Sequence, residues 1–210
     1  DVGARFLAGV LGYITQSLNR KITVLVATSG DTGGAVANAF AGKEGIRVVI
    51  LYPSGRVSHV QEYQLRSAAP NITAIELEGD FDDCQRLVRT AFADRELNEK
   101  IILTSANSIN FARLFPQSVY YFHALAQMEN GDAPVAVSVP SGNFGNLTAG
   151  LIASKMGLPV SRFIASTNIN NSVPLYLETG RFEPHPSYHT ISNAMDVGNP
   201  GNFQRMLSLF

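Results

Sequence analysis

Ser138-Val139-Pro140-Ser141-Gly142-Asn143-Phe144-Gly145-Asn146-Leu147-Thr148-Ala149-Gly150 decides the fold of this chain. An apolar run, Val135 to Val139, breaks at a proline and enters a small polar turn holding Gly142 and Gly145. A helical segment follows at once, from Gly145 to Met156. This is a strand–loop–helix unit whose loop can aim several backbone N–H groups at one point. The unpaired amides of a new helix, at the positive end of its dipole, form a ready site for a phosphate group.

A second unit of the same kind lies upstream. The apolar run Ile22 to Ala27 leads into Thr28-Ser29-Gly30-Asp31-Thr32-Gly33-Gly34, and then into the helical Ala35 to Ala41. Two anion cradles in one chain point to a ligand with two acidic groups, or to a phosphorylated cofactor beside an acidic substrate. Neither loop is a P-loop, since Gly34 is followed by alanine where a lysine would be needed. The dinucleotide G-x-G-x-x-G spacing is absent from both.

Short β-branched runs alternate with helical stretches. Ile22–Ala27, Val48–Tyr52, Ile72–Leu77, Val135–Val139 and Arg162–Thr167 read as strands. Such near-continuous apolar runs suit parallel strands buried on both faces. Phe6, Leu7, Val10, Leu11 and Ile14 mark one helical face; Ser58 with Gln61 reads as a capping box, and Asp80 with Asp83 starts another helix with Leu87, Val88, Ala91 and Phe92 as its apolar positions. Ile109 to Met128 reads as one long helix that Pro116 kinks or shifts. The fold class is therefore α/β, a doubly wound parallel sheet with ligands at the carboxyl ends of the strands. Asn130-Gly131-Asp132-Ala133-Pro134 is the expected boundary. Residues 1–130 read as most of one α/β domain and 131–210 as the start of a second, which carries the Gly142–Asn146 loop.

Composition narrows the function classes. At 210 residues, 45% hydrophobic and 16% charged, the chain can bury an ample core and is too apolar for disorder. A net charge of −1 offers no electrostatic footprint for nucleic acid or an anionic membrane. No apolar run reaches the roughly 18 residues that span a bilayer. Cys84 is the only cysteine, which suits a reducing cytosol and a packing role. His185 and His189, in the loop Glu183-Pro184-His185-Pro186-Ser187-Tyr188-His189, lack a third ligand at sensible spacing and read as surface residues. His59 and His123 read as structural, and no Ser-His-Asp or Cys-His arrangement for a covalent hydrolase emerges.

Four segments in one order carry a resemblance. They are Ala27-Thr28-Ser29-Gly30-Asp31-Thr32-Gly33, Ser105-Ala106-Asn107-Ser108-Ile109-Asn110 with Arg113, Val139 to Asn146, and Ser192-Asn193-Ala194-Met195-Asp196. Together they resemble the threonine synthase family of pyridoxal-phosphate enzymes, along essentially the whole chain. The resemblance implies the tryptophan-synthase-β-like fold, fold type II, and pyridoxal 5'-phosphate as cofactor. It implies a cytoplasmic carbon–oxygen lyase that converts O-phospho-L-homoserine and water to L-threonine and phosphate, in threonine biosynthesis. Gly142, Asn143, Phe144, Gly145 and Asn146 would hold the cofactor phosphate, with Asn143 and Asn146 adding side-chain donors and the Phe144 ring packed away from solvent. Ser29, Gly30 and Thr32 would grip the substrate carboxylate. Asp31, where relatives often carry an asparagine near the cofactor's phenolic oxygen, would face the cofactor, or else cap the following helix. Asn107, Ser108, Asn110 and Arg113 would meet the substrate phosphate, for which arginine's planar fork is suited. Asn107 and Ser108 could instead cap a helix.

The family's Schiff-base lysine lies just upstream of a segment matched here by Asp1-Val2-Gly3-Ala4-Arg5-Phe6, so it is expected immediately before Asp1. The polar residue facing the pyridine nitrogen is expected beyond Phe210. The chain thus reads as a fragment of a larger enzyme, inactive alone. The rivals are another β-replacement or dehydratase member of the fold, and a non-catalytic protein that binds a phosphate ligand.

Overall fold

The computed structural model describes residues 2–66, 69–128 and 134–209. Helix α1 (Val2–Leu18) precedes β1 (Ile22–Ala27), α2 (Asp31–Phe40), β2 (Ile46–Pro53), α3 (His59–Arg66) and β3 (Ile72–Leu77). Then come α4 (Phe81–Ala93), α5 (Arg95–Lys100), β4 (Ile102–Ser105) and α6 (Phe111–Leu114). A 3₁₀ turn (Phe115–Gln117) joins α6 to α7 (Ser118–Ala126). The remainder is β5 (Val135–Pro140), α8 (Gly145–Lys155), β6 (Val160–Ser166), α9 (Ser172–Thr179), a second 3₁₀ turn (Asn193–Met195) and α10 (Phe203–Leu209). Strands β1 to β4 form one parallel sheet in the order β3-β2-β1-β4, and β5 pairs with β6, also in parallel.

The central strands are buried on both faces, as their apolar runs require. Val24 and Val26 of β1 join Ala4, Leu7, Ala8, Leu11, Val36 and Phe40 on one face. Leu25 and Ala27, pointing the other way, pack with Phe81, Cys84 and Val88 of α4. A separate core forms around Leu114, Tyr121, Phe144, Leu147 and Phe203. Cys84 is fully buried, and burial pushes its thiol up to about 12, where it is inert as a nucleophile.

Several sequence expectations need correction. β4 was not expected: Ile102-Leu103-Thr104-Ser105 is only four residues long and mostly half-buried, so it lacks a strong apolar run. The buried face of α1 is Ala4, Leu7, Ala8 and Leu11; Phe6 is 50% exposed, because the helix rotates it off that stripe. On α4 the buried positions are Phe81, Cys84 and Val88, whereas Leu87 and Phe92 are exposed. Ile109 to Met128 is not one helix. Pro116 lacks an N–H and clashes with the preceding turn, so the run divides into α6, the 3₁₀ turn and α7. The Ser58/Gln61 and Asp80/Asp83 boxes are both present, with reciprocal bonds. Of the expected domain boundary, 130–133 lie outside the described residues. Among the described residues, no helix is long and apolar enough to cross a membrane.

Candidate functional site

In the order β3-β2-β1-β4 the chain reverses direction of growth at β1, so a crevice opens between the ends of β1 and β4. The loops Thr28–Gly30 and Ala106–Asn110 leave those two ends. After β1, the buried Thr28 side chain organises the turn: its Oγ1 accepts from the N–H of Gly30 at 2.9 Å and of Gly33 at 2.8 Å. Gly30, at φ 138°, is the N-cap, and α2 begins at Asp31 rather than Ala35. Asp31 is therefore not the cap. Its Oδ1 accepts from Gln61 Nε2 at 2.6 Å instead. Gly33, inside the helix, leaves room for its neighbours: a Cβ there would sit 2.5 Å from Leu65 Cδ2 and 2.7 Å from Thr28 Cγ2. With Gly30 and Gly33 committed to Thr28, the first-turn amides of Asp31 and Thr32 are the donors that a helix start leaves for an anion.

After β4, Asn107 is buried, and its side-chain amide is spent on Ala27. Oδ1 accepts from the Ala27 N–H at 3.0 Å, and Nδ2 donates to the Ala27 carbonyl at 2.6 Å. Asn110, not Asn107 or Ser108, caps α6: its Oδ1 accepts from the Ala112 N–H, and its Nδ2 donates to the Ser105 carbonyl. Arg113 follows on α6 and is 5% exposed. Burial draws its guanidinium down to about 10, countered by Tyr120, which leaves it cationic across the neutral range.

The third loop precedes α8. Phe144 is its N-cap in the left-handed region, at φ 59° and ψ 14°. That conformation costs a non-glycine residue about 1–2 kcal/mol, and burying a phenylalanine ring returns about 1.5–3 kcal/mol. The ring does lie in the second core, away from solvent. The side-chain amides of Asn143 and Asn146, expected to add donors for the phosphate, each spend one N–H within the fold. Asn146 Nδ2 donates to the Pro140 carbonyl at 2.7 Å, which closes the loop on its own strand. Asn143 Nδ2 donates to Ser108 Oγ at 3.2 Å, and its Oδ1 accepts from the Gly201 N–H. Backbone amides, led by those of Gly145 and Asn146 in the first turn, are what this loop offers an anion. Gly145 is also required by packing, since a Cβ would lie 2.7 Å from Ser108 Cβ; at Gly142 it would lie 2.7 Å from Met195 Cα.

These loops are tied to one another. Asn202, fully buried, donates from Nδ2 to Ser108 Oγ at 2.9 Å and to the Asn143 carbonyl at 3.1 Å. Its Oδ1 accepts from Arg205, whose guanidinium also holds the carbonyls of Ser108 and Ile109. Ser108 Oγ thus accepts from two amides, so its own hydroxyl proton is left to donate elsewhere. Asn193 Nδ2 reaches the Ser29 carbonyl at 3.1 Å. Asp196 anchors that segment by accepting from Asn168 Nδ2, Thr190 Oγ1 and the Thr190 N–H. Ala27, Asn107, Ile109 and Asn143 line a common cavity of about 30 Å³ beside Gln85, Val88 and Arg89 of α4. Hence the segments singled out in the sequence converge, although they are up to 164 residues apart.

A family model described as "Pyridoxal-phosphate dependent enzyme" matches residues 2–208. This chain belongs to that family. Among pyridoxal-phosphate dependent relatives, a protein from Haemophilus influenzae named threonine synthase is 54% identical over 212 residues, 100% of this chain and 49% of its own length. The solved threonine synthase from Escherichia coli is 50% identical with a TM-score of 0.94, covering 99% of this chain and 48% of that one. A structure titled PLP-bound threonine synthase, from Brucella melitensis, is 42% identical with a TM-score of 0.86, covering 99% and 45%. The chain spans about half the length of the curated relatives it matches.

The residues present fit the phosphate of such a cofactor. A dianionic group needs converging neutral donors at a helix start, and the loop before α8 supplies them with its shape fixed by Phe144, Asn143 and Asn146. Sequence reasoning missed Thr28, Asn202 and Arg205. Thr28 had a signal, a hydroxyl two residues before a glycine N-cap. Asn202 and Arg205 had none, because their role is set by contacts some 60 to 97 residues away.

Proposed function

We propose that these residues form part of a threonine synthase, which converts O-phospho-L-homoserine and water to L-threonine and phosphate. The observation that carries this reading is the cross-linking of two anion-directed loops through Ser108, Asn143 and Asn202, at the switch point of the sheet. The likeness to proteins named threonine synthase supports the choice of reaction.

In this reading the first-turn amides of Gly145 and Asn146, with Gly142, Asn143 and Phe144 shaping the loop, hold the phosphate of pyridoxal phosphate. When bound, that cofactor supplies an electron sink for removal of substrate protons. Amides of the Ser29–Thr32 loop hold the substrate carboxylate. The Ser108 hydroxyl and the Arg113 cation serve the substrate phosphate, and stabilising that leaving anion is an electrostatic task. Asn107 and Asn110 act on the same group indirectly, by holding the loop that carries Ser108. A lysine preceding Asp1 holds the cofactor and moves protons. The two sheets belong to separate domains, 1–130 and 131–210. A small-molecule substrate and a cytoplasmic setting complete the reading, the latter from the lone thiol of Cys84.

The test uses the complete gene product with pyridoxal phosphate. It should release phosphate and form L-threonine from O-phospho-L-homoserine. Turnover of L-serine or L-threonine without that activity would instead favour a dehydratase of the same fold. The sequence before Asp1 should place a lysine there.

A further inference from the structure

Gln61 was expected only to complete a capping box, and it does, its Oε1 accepting from the Ser58 N–H at 2.9 Å. The same oxygen accepts from Asn193 Nδ2 at 2.9 Å, and Nε2 donates to Asp31 Oδ1 at 2.6 Å. Asn193 in turn reaches the Ser29 carbonyl at 3.1 Å and the Arg56 carbonyl at 3.4 Å. Between Ser29 and Asp31 lies Gly30, where a Cβ would be 2.5 Å from the amide carbon of Gln61. The Gln61 amide therefore covers Gly30 and is held by three different segments.

The Ser29–Thr32 loop carries its own carboxylate. Asp31 stands at the start of α2, where the helix dipole attracts any anion. Left to itself, it would compete with an incoming carboxylate for the first-turn amides and repel it. The bond from Gln61 Nε2 engages that carboxylate from outside the loop.

We propose that Gln61 is a positioning residue for substrate: it secures Asp31 and couples the loop after β1 to the Ser192–Asp196 segment through Asn193. The proposal rests on reading the Ser29–Thr32 loop as the site of the substrate carboxylate. A helix cap alone would not need an amide at position 61, since glutamate completes a capping box equally well.

That equivalence supplies the test, on the complete gene product. Gln61→Glu keeps acceptors for Ser58 and Asn193, and replaces the donor to Asp31 with a like charge. KM for O-phospho-L-homoserine should rise about tenfold or more, the worth of one lost hydrogen bond to a charged group, with a smaller change in kcat. Adding Asp31→Asn to Gln61→Glu restores an amide–carboxylate pair with its polarity reversed, and should lower KM again. Ser58→Ala removes the cap without touching Asp31, and should leave KM unchanged. Hydrogen-exchange protection of the backbone amides from Ser29 to Gly34 gives a readout independent of turnover. It should fall in Gln61→Glu, recover in the double variant and hold in Ser58→Ala. Wild-type protection in Gln61→Glu, or a double variant no better protected than the single, overturns the proposal. A gene product that does not turn over phosphohomoserine overturns the reaction assigned above, while the exchange comparison still decides the role of Gln61.

Discussion

Asn107 and Ala27 form a two-way bond, side chain to backbone, that extends the sheet beyond its last strand pair. Asn107 Oδ1 takes the Ala27 N–H and Asn107 Nδ2 gives to the Ala27 carbonyl, as a neighbouring strand would. The β1–β4 ladder has ended by Leu25 and Ser105, so without Asn107 these two buried backbone groups would lose their partners on that side. The side chain thereby fixes where the loops after β1 and β4 part.

Asn107→Ala should destabilise the protein by about 1–3 kcal/mol, the cost of stranding a buried donor and acceptor. Asn107→Asp should be no better: it keeps the acceptor for the Ala27 N–H but sets a carboxylate oxygen against the Ala27 carbonyl. Chemical denaturation of both variants measures this. If Asn107→Ala unfolds at the wild-type denaturant midpoint, the bond contributes nothing.

Gly145 is bounded by Ser108, so packing and cofactor retention can be separated. Gly145→Ala would place a Cβ 2.7 Å from Ser108 Cβ, a contact that forces one loop to move. We expect weaker retention of pyridoxal phosphate on dialysis, at a stability cost of about 1–3 kcal/mol. Adding Ser108→Gly removes the obstructing atom and should restore retention, even though it sacrifices the donor proposed for the substrate phosphate. Retention unchanged in Gly145→Ala would mean that the two loops can separate freely.

Much of this was legible in the sequence, and the parts that were not share a cause. Ile22–Ala27 and Val48–Tyr52 were readable because burial on both faces demands near-continuous apolar runs. The Ser58 and Asp80 caps were readable because a helix start is a local problem with a local side-chain solution. β4 escaped because three half-buried residues and a buried serine leave no pattern. The amides of Asn143 and Asn146 were read only as phosphate donors, yet they also bond to Gly201, Ser108 and Pro140, partners that only the fold brings near. Asn202 is the extreme case: its side-chain N–H groups serve two remote loops, contacts that nothing local announces.

Cys84 makes an alkaline prediction. Burial holds the native thiol protonated up to about 12, against an ordinary value of 9.0. Its contribution to stability is therefore complete below pH 9 and fades as pH rises toward 12, because the unfolded chain ionises first. Cys84→Ala should show a shallower loss of stability across that window than wild type. Native protein should also resist alkylation at pH 8 and react once unfolded. Rapid labelling of the native protein would show that the thiol is accessible and that the raised value does not hold.

Arg113 gives the sharpest test of which loop meets which phosphate. It is buried and cationic, on the short helix that Asn110 caps, so its position follows the same loop that carries Ser108. Arg113→Ala should leave pyridoxal phosphate bound, because in the proposed reading the loop before α8 holds its phosphate with backbone amides. It should raise KM for O-phospho-L-homoserine and lower kcat, since in that reading the lost cation serves both the bound phosphate and the departing anion. One charge-assisted hydrogen bond is worth about 1.5–3 kcal/mol, so kcat/KM should fall at least about tenfold. Inorganic phosphate should inhibit the variant less than wild type. Arg113→Lys should recover part of the loss, because a point charge replaces the fork without its bidentate geometry. Because the side chain is buried, each variant must first be shown to unfold above the assay temperature. A stable Arg113→Ala variant with full kcat/KM and unchanged phosphate inhibition would make Arg113 a packing residue and move the substrate phosphate to another part of the protein.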